Sequence, residues 1–286
     1  MDGSELNRNS IAPSRPTASA VAAFFVDEID RDSQRVALPR PEIQIVVRFG
    51  PSARNGLDVH ALGTQQTVRR KLIRSGQRAV TARLHVGASK AVLGVPASAV
   101  AGSVLALEEL WGRAVVQRLL DRLSGVRDTI EAVAIMDGAI AERLARAEAR
   151  DAQVPLALMA AERLVNANVS AVAVDLGVSE RHLRRVFREA VGMSPKGFAR
   201  LARFRHALQI VREDRRLGWA TIAAAAGYYD QAHLIEDFRA IAGVTPRVLI
   251  GELGVTDTDS QGAHESRAGN DAHRRKAACG VRGMAD

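Results

Sequence analysis

Four arginines stand close together in the stretch ERHLRRVFRE, residues 180–189. A guanidinium group is always charged, and its planar fork of donors fits a phosphate or the O6 and N7 acceptors of guanine. On a helical wheel at about 100° per residue, Leu183 and Phe187 share one side, and Arg181, Arg185 and Arg188 fall on the opposite side. The pattern predicts a helix that buries its apolar side and presents a basic side to a polyanion.

The positive charge of the whole chain is concentrated around this helix. The 286 residues have a formal net charge of +8 and a sequence pI of about 10.6. Between positions 181 and 216, eleven Arg and Lys residues stand against three acids, an excess equal to that of the entire chain. Such a local excess favours a nucleic acid as the partner, although a charge run of this kind is more often a solvated helix face.

The arginine-rich stretch is one copy of an internal repeat. Shifted by 51 positions, SERHLRRVFREAVGMSP (179–195) aligns with DQAHLIEDFRAIAGVTP (230–246), with six identities in 17 positions. Each copy follows a short apolar helix pattern that ends at a glycine, Gly177 or Gly227, and then a residue suited to cap a second helix, Ser179 or Asp230. A helix, a short turn and a capped second helix form a helix-turn-helix, which is therefore predicted twice.

A third helix is predicted between the two copies. The segment KGFARLARFRHALQIVR (196–212) has its apolar residues at helical spacing. A helix of this length spans about 26 Å, which can hold two recognition helices about one turn of DNA, roughly 34 Å, apart. The two helix-turn-helices could then enter successive major grooves and read an asymmetric site.

These two runs, LGVSERHLRRVFREAVGMSPKGFARLARF and AAAGYYDQAHLIEDFRAIAGVTP, resemble the two halves of the AraC/XylS-type DNA-binding domain of bacterial transcriptional regulators. The resemblance covers about 155–250 and includes the extra turn residue of the second half. The segment VLGVPASAVAGSVLALEELWG is similar to the end of a small β-rich domain that often precedes this DNA-binding domain. The resemblance implies a one-component regulator, with a sensing or oligomerising domain before the reader.

The wheel and the resemblance together select the residues expected to contact DNA. In the resembled family, base contacts come from the positions of Arg181, Arg184 and Arg185. Glu236 takes the position of Arg185 in the second copy, where a carboxylate can accept from cytosine N4 but is repelled by phosphates. The second helix is therefore expected to bind more weakly. The full set of expected DNA-binding residues is Arg181, His182, Arg184, Arg185, Arg188, Lys196, Gln231, His233, Glu236 and Arg239.

Some of these assignments have a structural alternative. Lys196, Arg200 and Arg203 could contact phosphates or remain on a solvated face, and the two histidines could pack against the preceding helix. The tyrosines of the second copy differ, because Tyr228 replaces an aromatic residue that the resembled family packs in its core. Tyr229 is the inserted turn residue and could reach a phosphate.

The fold class predicted from the whole chain is α+β, with a β-rich domain before an all-α domain. The predicted divisions are a disordered lead-in (1–35), a β-rich sensor or oligomerisation domain ending in helices (36–150), the double helix-turn-helix (151–252) and a disordered tail (253–286). Short alternating runs predict strands between 42 and 95, and apolar residues at helical spacing predict a helix from Pro96 to Trp111 and further helices over 113–148.

Several function classes are disfavoured. The single cysteine, Cys279, excludes a disulfide framework and a cysteine-based zinc site, and neither a glycine-rich phosphate loop nor a GxSxG motif is present. His60, His85 and Trp111 are isolated from other candidate ligands, so structural roles are predicted for them. We therefore predict no catalytic residues, metal or cofactor. The acidic N-terminus and the lack of an apolar run near 20 residues predict a cytoplasmic protein with no membrane segment.

The resulting hypothesis is a transcriptional regulator that binds double-stranded DNA in a sequence-specific manner. Its further candidate partners are a small-molecule effector, RNA polymerase and a second copy of the chain in a homodimer. Two other hypotheses remain at this point: an N-terminal enzyme fused to a DNA anchor, and an architectural DNA binder without an effector.

Overall fold

The protein is described by a computed structural model, which covers residues 10–147 and 152–254. The predicted tail lies outside the described residues from 255 onward, as do residues 1–9 of the predicted lead-in. The predicted α+β class is confirmed, because strands fill most of the N-terminal part and helices the remainder.

The N-terminal domain is built on an antiparallel six-stranded sheet in the order β1-β2-β7-β4-β5-β8. Its strands are β1 (Ser10–Ile11), β2 (Val21–Ile29), β4 (Gln44–Phe49), β5 (Leu57–Leu62), β7 (Gln77–Leu84) and β8 (Val104–Ala106). In β4, Ile45, Val47 and Phe49 are buried and alternate with half-exposed neighbours, which is the period of a sheet with one face on the core. The strand-like texture predicted for 42–95 is therefore confirmed as far as Leu84, whereas Ser89–Leu93 near its end forms a short helix.

A second, two-stranded sheet is formed by strands that are distant in the chain. It pairs β3 (Ser33–Ala37) with β6 (Arg69–Ile73) in antiparallel register, from Ser33 opposite Ile73 to Ala37 opposite Arg69. In this small sheet, Leu72 of β6 is 61% exposed. Neither strand belongs to the main sheet.

Two parts of the sequence-based prediction are wrong in this domain. Residues 10–35 are not an irregular lead-in, because they form β1, the long strand β2 and the start of β3. The predicted helix from Pro96 to Trp111 is interrupted, because Val104 lies in strand β8, paired with Leu62 of β5. The helical spacing arose from two short helices on either side of that strand.

Helices cover one side of the sheet. They are α1 (Ser89–Leu93), α2 (Ala97–Val100), α3 (Glu108–Trp111), α4 (Arg113–Ser124) and α5 (Thr129–Ala145). Trp111 is buried, and its indole Nε1–H donates to the carbonyl oxygen of Val92 at 3.0 Å. The structural role predicted for this tryptophan is therefore confirmed.

The C-terminal domain is entirely helical in the described residues. Its helices are α6 (Val154–Leu164), α7 (Val169–Asp175), α8 (Glu180–Val191), α9 (Pro195–Glu213), α10 (Trp219–Ala225), α11 (Gln231–Ala242) and α12 (Pro246–Glu252). Their apolar sides form a second core, and side chains from the N-terminal domain, Val36, Leu38, Val68 and Val86, pack against it. The two domains therefore share part of one apolar interface. Across the described residues, no helix is both long and apolar enough to cross a membrane.

Candidate nucleic-acid interface

The first predicted recognition helix is α8, and its two sides differ sharply. Leu183, Val186 and Phe187 have no exposed surface, so they fix this helix against the core. The opposite side is exposed and basic, and its exposed arginines are Arg181, Arg184, Arg185 and Arg188. The structure thus confirms that Arg181, Arg185 and Arg188 lie on the side opposite the apolar residues, and Arg184 is exposed beside them.

The turn before α8 has the geometry expected from the sequence. Gly177 ends the preceding helix α7 with a φ of +66°, a left-handed conformation that favours glycine. The hydroxyl of Ser179 then accepts from the backbone N–H of His182 at 3.2 Å, which caps α8. Since this turn fixes the direction of α8, its basic side is presented outward.

Two acids hold arginines of α8 along the helix surface. Arg184 pairs with Glu180, and Arg185 Nη1 lies 3.4 Å from Glu189 Oε1. His182 is half-buried, with Nδ1 3.4 Å from Arg185 Nη2. Exposed pairs four residues apart contribute only about 0.3–0.5 kcal/mol each, so both arginines can exchange these partners for nucleic-acid acceptors at little cost.

The second predicted recognition helix, α11, repeats this arrangement with fewer charges. Leu234 and Phe238 are fully buried, and Asp230 caps the helix by accepting from the N–H of His233 at 2.7 Å. The exposed residues include Gln231, Glu236 and Arg239. Glu236 therefore occupies the outward position that the alignment with Arg185 predicts.

The neighbouring acid, Asp237, has a different role that the sequence-based reasoning missed. Its side chain is buried, and Oδ1 accepts from Arg200 Nε of α9 at 2.7 Å. Asp237 stands three residues after Leu234 and directly before Phe238, so helical periodicity already placed it on the inner side. That spacing was the available signal.

Arg200 and Arg203, candidate phosphate contacts in the sequence, are engaged inside the domain. Arg200 pairs with Asp237, and the Arg203 guanidinium carbon lies 5.6 Å from the centroid of the Tyr228 ring. Lys196, in contrast, is exposed near the start of α9. Among the three α9 cations suggested as phosphate contacts, Lys196 is therefore the one whose exposed position suits a contact with a phosphate.

The two tyrosines separate as expected. Tyr228 is 5% exposed, which confirms the predicted core position, and its ring meets that of half-buried His233 edge-on at 5.3 Å. Burial, together with the nearby Asp237 carboxylate, raises the pKa of Tyr228 above its usual range. Tyr229 is 94% exposed, so its predicted contact with a phosphate stays a prediction.

The histidines of the N-terminal domain do not form a metal site. His60 Nδ1 lies 3.2 Å from Asp58 Oδ1, and no group of three or more metal-ligating residues occurs in the described ranges. Burial opposes the ionisation of Asp58, but hydrogen bonds from Arg48 and the Arg54 amide outweigh it and hold the pKa of Asp58 below its usual range. His60 thus belongs to a local structural network.

The two capped, half-buried helices with exposed polar sides, each following a short glycine turn, define a DNA-binding fold of the helix-turn-helix class. Residues 172–250 match the family model described as "Helix-turn-helix domain". Residues 172–250 therefore form a helix-turn-helix domain of the AraC type.

Solved structures of ToxT from Vibrio cholerae are similar to this chain at low identity. One at 1.65 Å resolution (P21 form) has 11% sequence identity and a TM-score of 0.42, covering 80% of this chain and 98% of that chain. Another, of wild-type ToxT from strain SCE256 with an unsaturated fatty acid bound, has 10% identity and a TM-score of 0.44, covering 87% and 99%. A search of curated proteins finds no match. A similarity at this identity and TM-score assigns neither a role to any residue of this chain nor a ligand to it.

Proposed function

We propose that this protein is a sequence-specific, one-component transcriptional regulator whose helices α8 and α11 read DNA in the major groove. The observation that carries the proposal is the exposed arginine side of α8, held by a capped helix with a fully buried opposite side. Arg181, Arg184 and Arg185 lie where a recognition helix presents its N-terminal half to base edges. Guanine is the base that an arginine fork recognises best, so the preferred site should contain guanines at the α8 end.

The first experiment is the selection of bound fragments from genomic DNA by the purified protein, followed by affinity measurements on the enriched sequence. We expect a preference of at least about a thousandfold over bulk DNA at physiological salt. A variant with Arg181, Arg184 and Arg185 changed to Ala should lose this preference, because it loses the base-reading groups.

A matched control removes the same charge elsewhere. Changing Arg113, Arg118 and Arg127 to Ala takes three exposed cations from the N-terminal domain and should leave the sequence preference intact. No enrichment of any sequence by the wild-type protein, or equal losses in the two triple variants, would contradict the proposal.

Control by an effector is the second part of the proposal, and a cavity between the two domains supports it. The cavity has a volume of about 1930 Å³ and is lined from the N-terminal side by residues such as Phe25 and His85 and from the C-terminal side by Phe198 and His206. An occupant would contact both domains, so its binding could alter their arrangement and thereby the affinity for DNA.

The lining indicates the chemistry of the effector. Glu42 is the one acid among the cavity's described lining residues, and its cations are Arg83, Lys90, Arg143, Arg146, Arg205 and Arg212. Apolar side chains such as Phe25, Leu158 and Phe198 complete the walls. The effector that fits is a small organic anion with an apolar body.

A set of organic acids, each paired with its uncharged amide, tests this part. The acids should raise the melting temperature and change the affinity for the selected DNA, whereas the amides should have weaker effects. Equal responses to acid and amide would show that the cations do not select the effector. The proposal also includes two protein partners, RNA polymerase and a second copy of the chain, through which the DNA-bound regulator would act.

A further inference from the structure

One segment of the N-terminal domain crosses both helix-turn-helices. It is the stretch 64–70, which follows β5, includes the first two residues of β6 and is called the crossing segment below. Thr64 Oγ1 donates to the carbonyl oxygen of Gly192 at 3.3 Å, directly after α8. Val68 N–H donates to the carbonyl oxygen of Ile241 at 2.8 Å, in the last turn of α11. The same short stretch of chain thus contacts the ends of both recognition helices.

The side chain of Arg70 adds to the contact with α11. Its Nη1 donates to the carbonyl oxygen of Ala242 at 3.0 Å, and its Nη2 lies 2.8 Å from Glu252 Oε2 in α12. A guanidinium at the carbonyl end of a helix is favourable, because the last carbonyls lack partners within the helix and carry partial negative charge. The hydrogen bonds from Thr64, Val68 and Arg70 therefore all fall where a helix end accepts them best.

The crossing segment also approaches helix α9. Between Thr64 and Val68, the side chain of Gln66 reaches the first turn of α9, since a Cβ placed on Gly197 would lie 3.3 Å from Gln66 Oε1. Three residues of the crossing segment therefore lie against the DNA-binding domain: Thr64, Gln66 and Val68.

The crossing segment is itself fixed to the N-terminal domain. Gln65 and Arg40 exchange two backbone hydrogen bonds of 2.8 and 2.9 Å, and the carbonyl oxygen of Thr64 accepts from Gly102 N–H at 2.9 Å. Gly63, just before it, lies so close to Val100 that a Cβ would come within 1.6 Å of the Val100 carbonyl oxygen. A segment anchored this way can transmit a fixed geometry to the helices that it touches.

The contacts leave the proposed reading surfaces open. The crossing segment meets the C-terminal ends of α8 and α11, whereas Arg181 and Arg184 lie in the N-terminal half of α8 and Gln231 begins α11, and all three are exposed. The N-terminal domain therefore does not cover these side chains. This arrangement fits a segment that positions the two recognition helices better than one that blocks their contact with DNA.

We propose that the crossing segment sets the distance and angle between the two recognition helices, so that Thr64 and Arg70 are positioning residues for DNA recognition. This inference rests on the proposed function, because it assumes that both helices read DNA. Its consequence is a narrow tolerance for the spacing between the two half-sites. Each added base pair moves one half-site by about 3.4 Å and rotates it by about 34°, which a rigid pair of helices cannot follow.

The test measures affinity against half-site spacing with the full-length protein. After selection of a preferred sequence, duplexes are made in which the spacing between its halves is changed by up to two base pairs in either direction. The wild-type protein should lose about tenfold or more in affinity at a change of one or two base pairs. Thr64→Val, which keeps the volume of the side chain and removes its hydroxyl, and Arg70→Ala should both flatten this profile.

The variants should also weaken binding at the preferred spacing severalfold while leaving the affinity for a single half-site unchanged. Arg74→Ala is the matched control, because Arg74 directly follows β6, the strand that contains Arg70, but pairs with Asp32 inside the N-terminal domain. Its spacing profile should equal that of the wild type. A melting curve shows whether Arg70→Ala is folded. If it is not, the result for Thr64→Val decides the test, because this milder change should leave the fold intact.

The outcomes separate the two proposals. If the wild-type protein selects no sequence, the proposed function fails. If it selects a sequence but both variants keep the wild-type spacing profile, the crossing segment does not position the helices. Tighter binding by the variants at every spacing, or selection of a single half-site without a second, would also overturn the inference.

Discussion

Two adjacent acids, Glu236 and Asp237, show how one position along a helix decides the role of a carboxylate. Asp237 is 6% exposed and is paired with Arg200, so it ties α11 to α9. Glu236 is exposed on the side proposed to face DNA. Chain neighbours on a helix stand about 100° apart, which places one acid inside the domain and the other outside.

Glu236→Gln tests the outward acid. The amide removes a charge that repels phosphates and adds two donors, so non-specific affinity should rise by about two- to fivefold at low salt, and a preference for one C·G pair should relax. The measurement is fluorescence anisotropy on the selected site, on its variants at each position and on bulk DNA. Glu213→Gln, on the exposed end of α9, is the control for loss of one negative charge. Equal behaviour of the two variants would place α11 away from the groove.

Tyr228→Phe tests the buried tyrosine. The hydroxyl of Tyr228 finds no hydrogen-bond partner among the described residues, so its removal should change the free energy of unfolding by less than about 1 kcal/mol at pH 8. The pKa of this hydroxyl is raised in the folded state above its ordinary value of 10.0. Below pH 10 it is protonated in both states, and at higher pH the unfolded state alone ionises, so stability falls as pH rises.

Urea denaturation at several values between pH 8 and pH 11 measures this loss. Tyr228→Phe should lose less stability over that range than the wild type, and the difference should approach about 1.4 kcal/mol for each pH unit above 10. Tyr229→Phe is the matched control, because Tyr229 is 94% exposed and should follow the wild type. Parallel curves for Tyr228→Phe and wild type would show that the hydroxyl ionises freely in the folded protein.

The two helix-turn-helices use the same elements, and their final glycines reveal where they differ. Gly192 ends α8 with a φ of +80°, and Gly243 ends α11 with a φ of +74°. A Cβ on Gly192 would lie 2.8 Å from Thr64 Cγ2 and 2.9 Å from the carbonyl oxygen of Ala97, whereas a Cβ on Gly243 would meet nothing within 4 Å. The first glycine therefore serves the domain interface as well as the helix end.

Exchange of each glycine for alanine separates these two roles. Gly243→Ala should cost about 1 kcal/mol of unfolding free energy, because alanine disfavours a positive φ. Gly192→Ala has the same strain and also forces apart the contact with Thr64 and Ala97, so a cost of about 2–4 kcal/mol is expected. Chemical denaturation of both variants measures the loss of unfolding free energy in each. Equal losses would mean that the interface accommodates the added methyl group at no cost in stability.

At the level of elements, the sequence predicted the DNA-binding domain well. Its signals are local: the glycine turns, the caps Ser179 and Asp230, and apolar residues repeating every three or four positions. The interruption of the helix near Val104 was missed, because a three-residue strand is created by pairing with β5, a contact distant in the chain. The Arg200–Asp237 pair spans 37 positions, and the contact from Thr64 to Gly192 spans 128, so neither has a short-range signature.

Over the whole molecule, the two cores are joined rather than separate. The second core receives Val68 from the N-terminal domain, and the ion pairs Arg70–Glu252 and Arg205–Glu42 cross the same interface. Such partly exposed pairs contribute about 0–1 kcal/mol each, so most of the coupling should come from apolar packing and from the backbone hydrogen bonds of the crossing segment.

Calorimetry of Val68→Asp tests that coupling. If the domains unfold together, the wild-type protein gives one cooperative transition, because loss of either domain exposes part of the shared apolar surface. A carboxylate at position 68 would have to lose water against that surface, so the interface should open and two transitions should separate. Leu72→Asp is the control, because Leu72 lies in β6, four residues after Val68, is 61% exposed and should keep a single transition. Two resolved transitions in the wild type would show that the N-terminal domain is not held firmly enough against the reader to set its geometry. A single transition in Val68→Asp would show that the coupling does not depend on the packing of Val68.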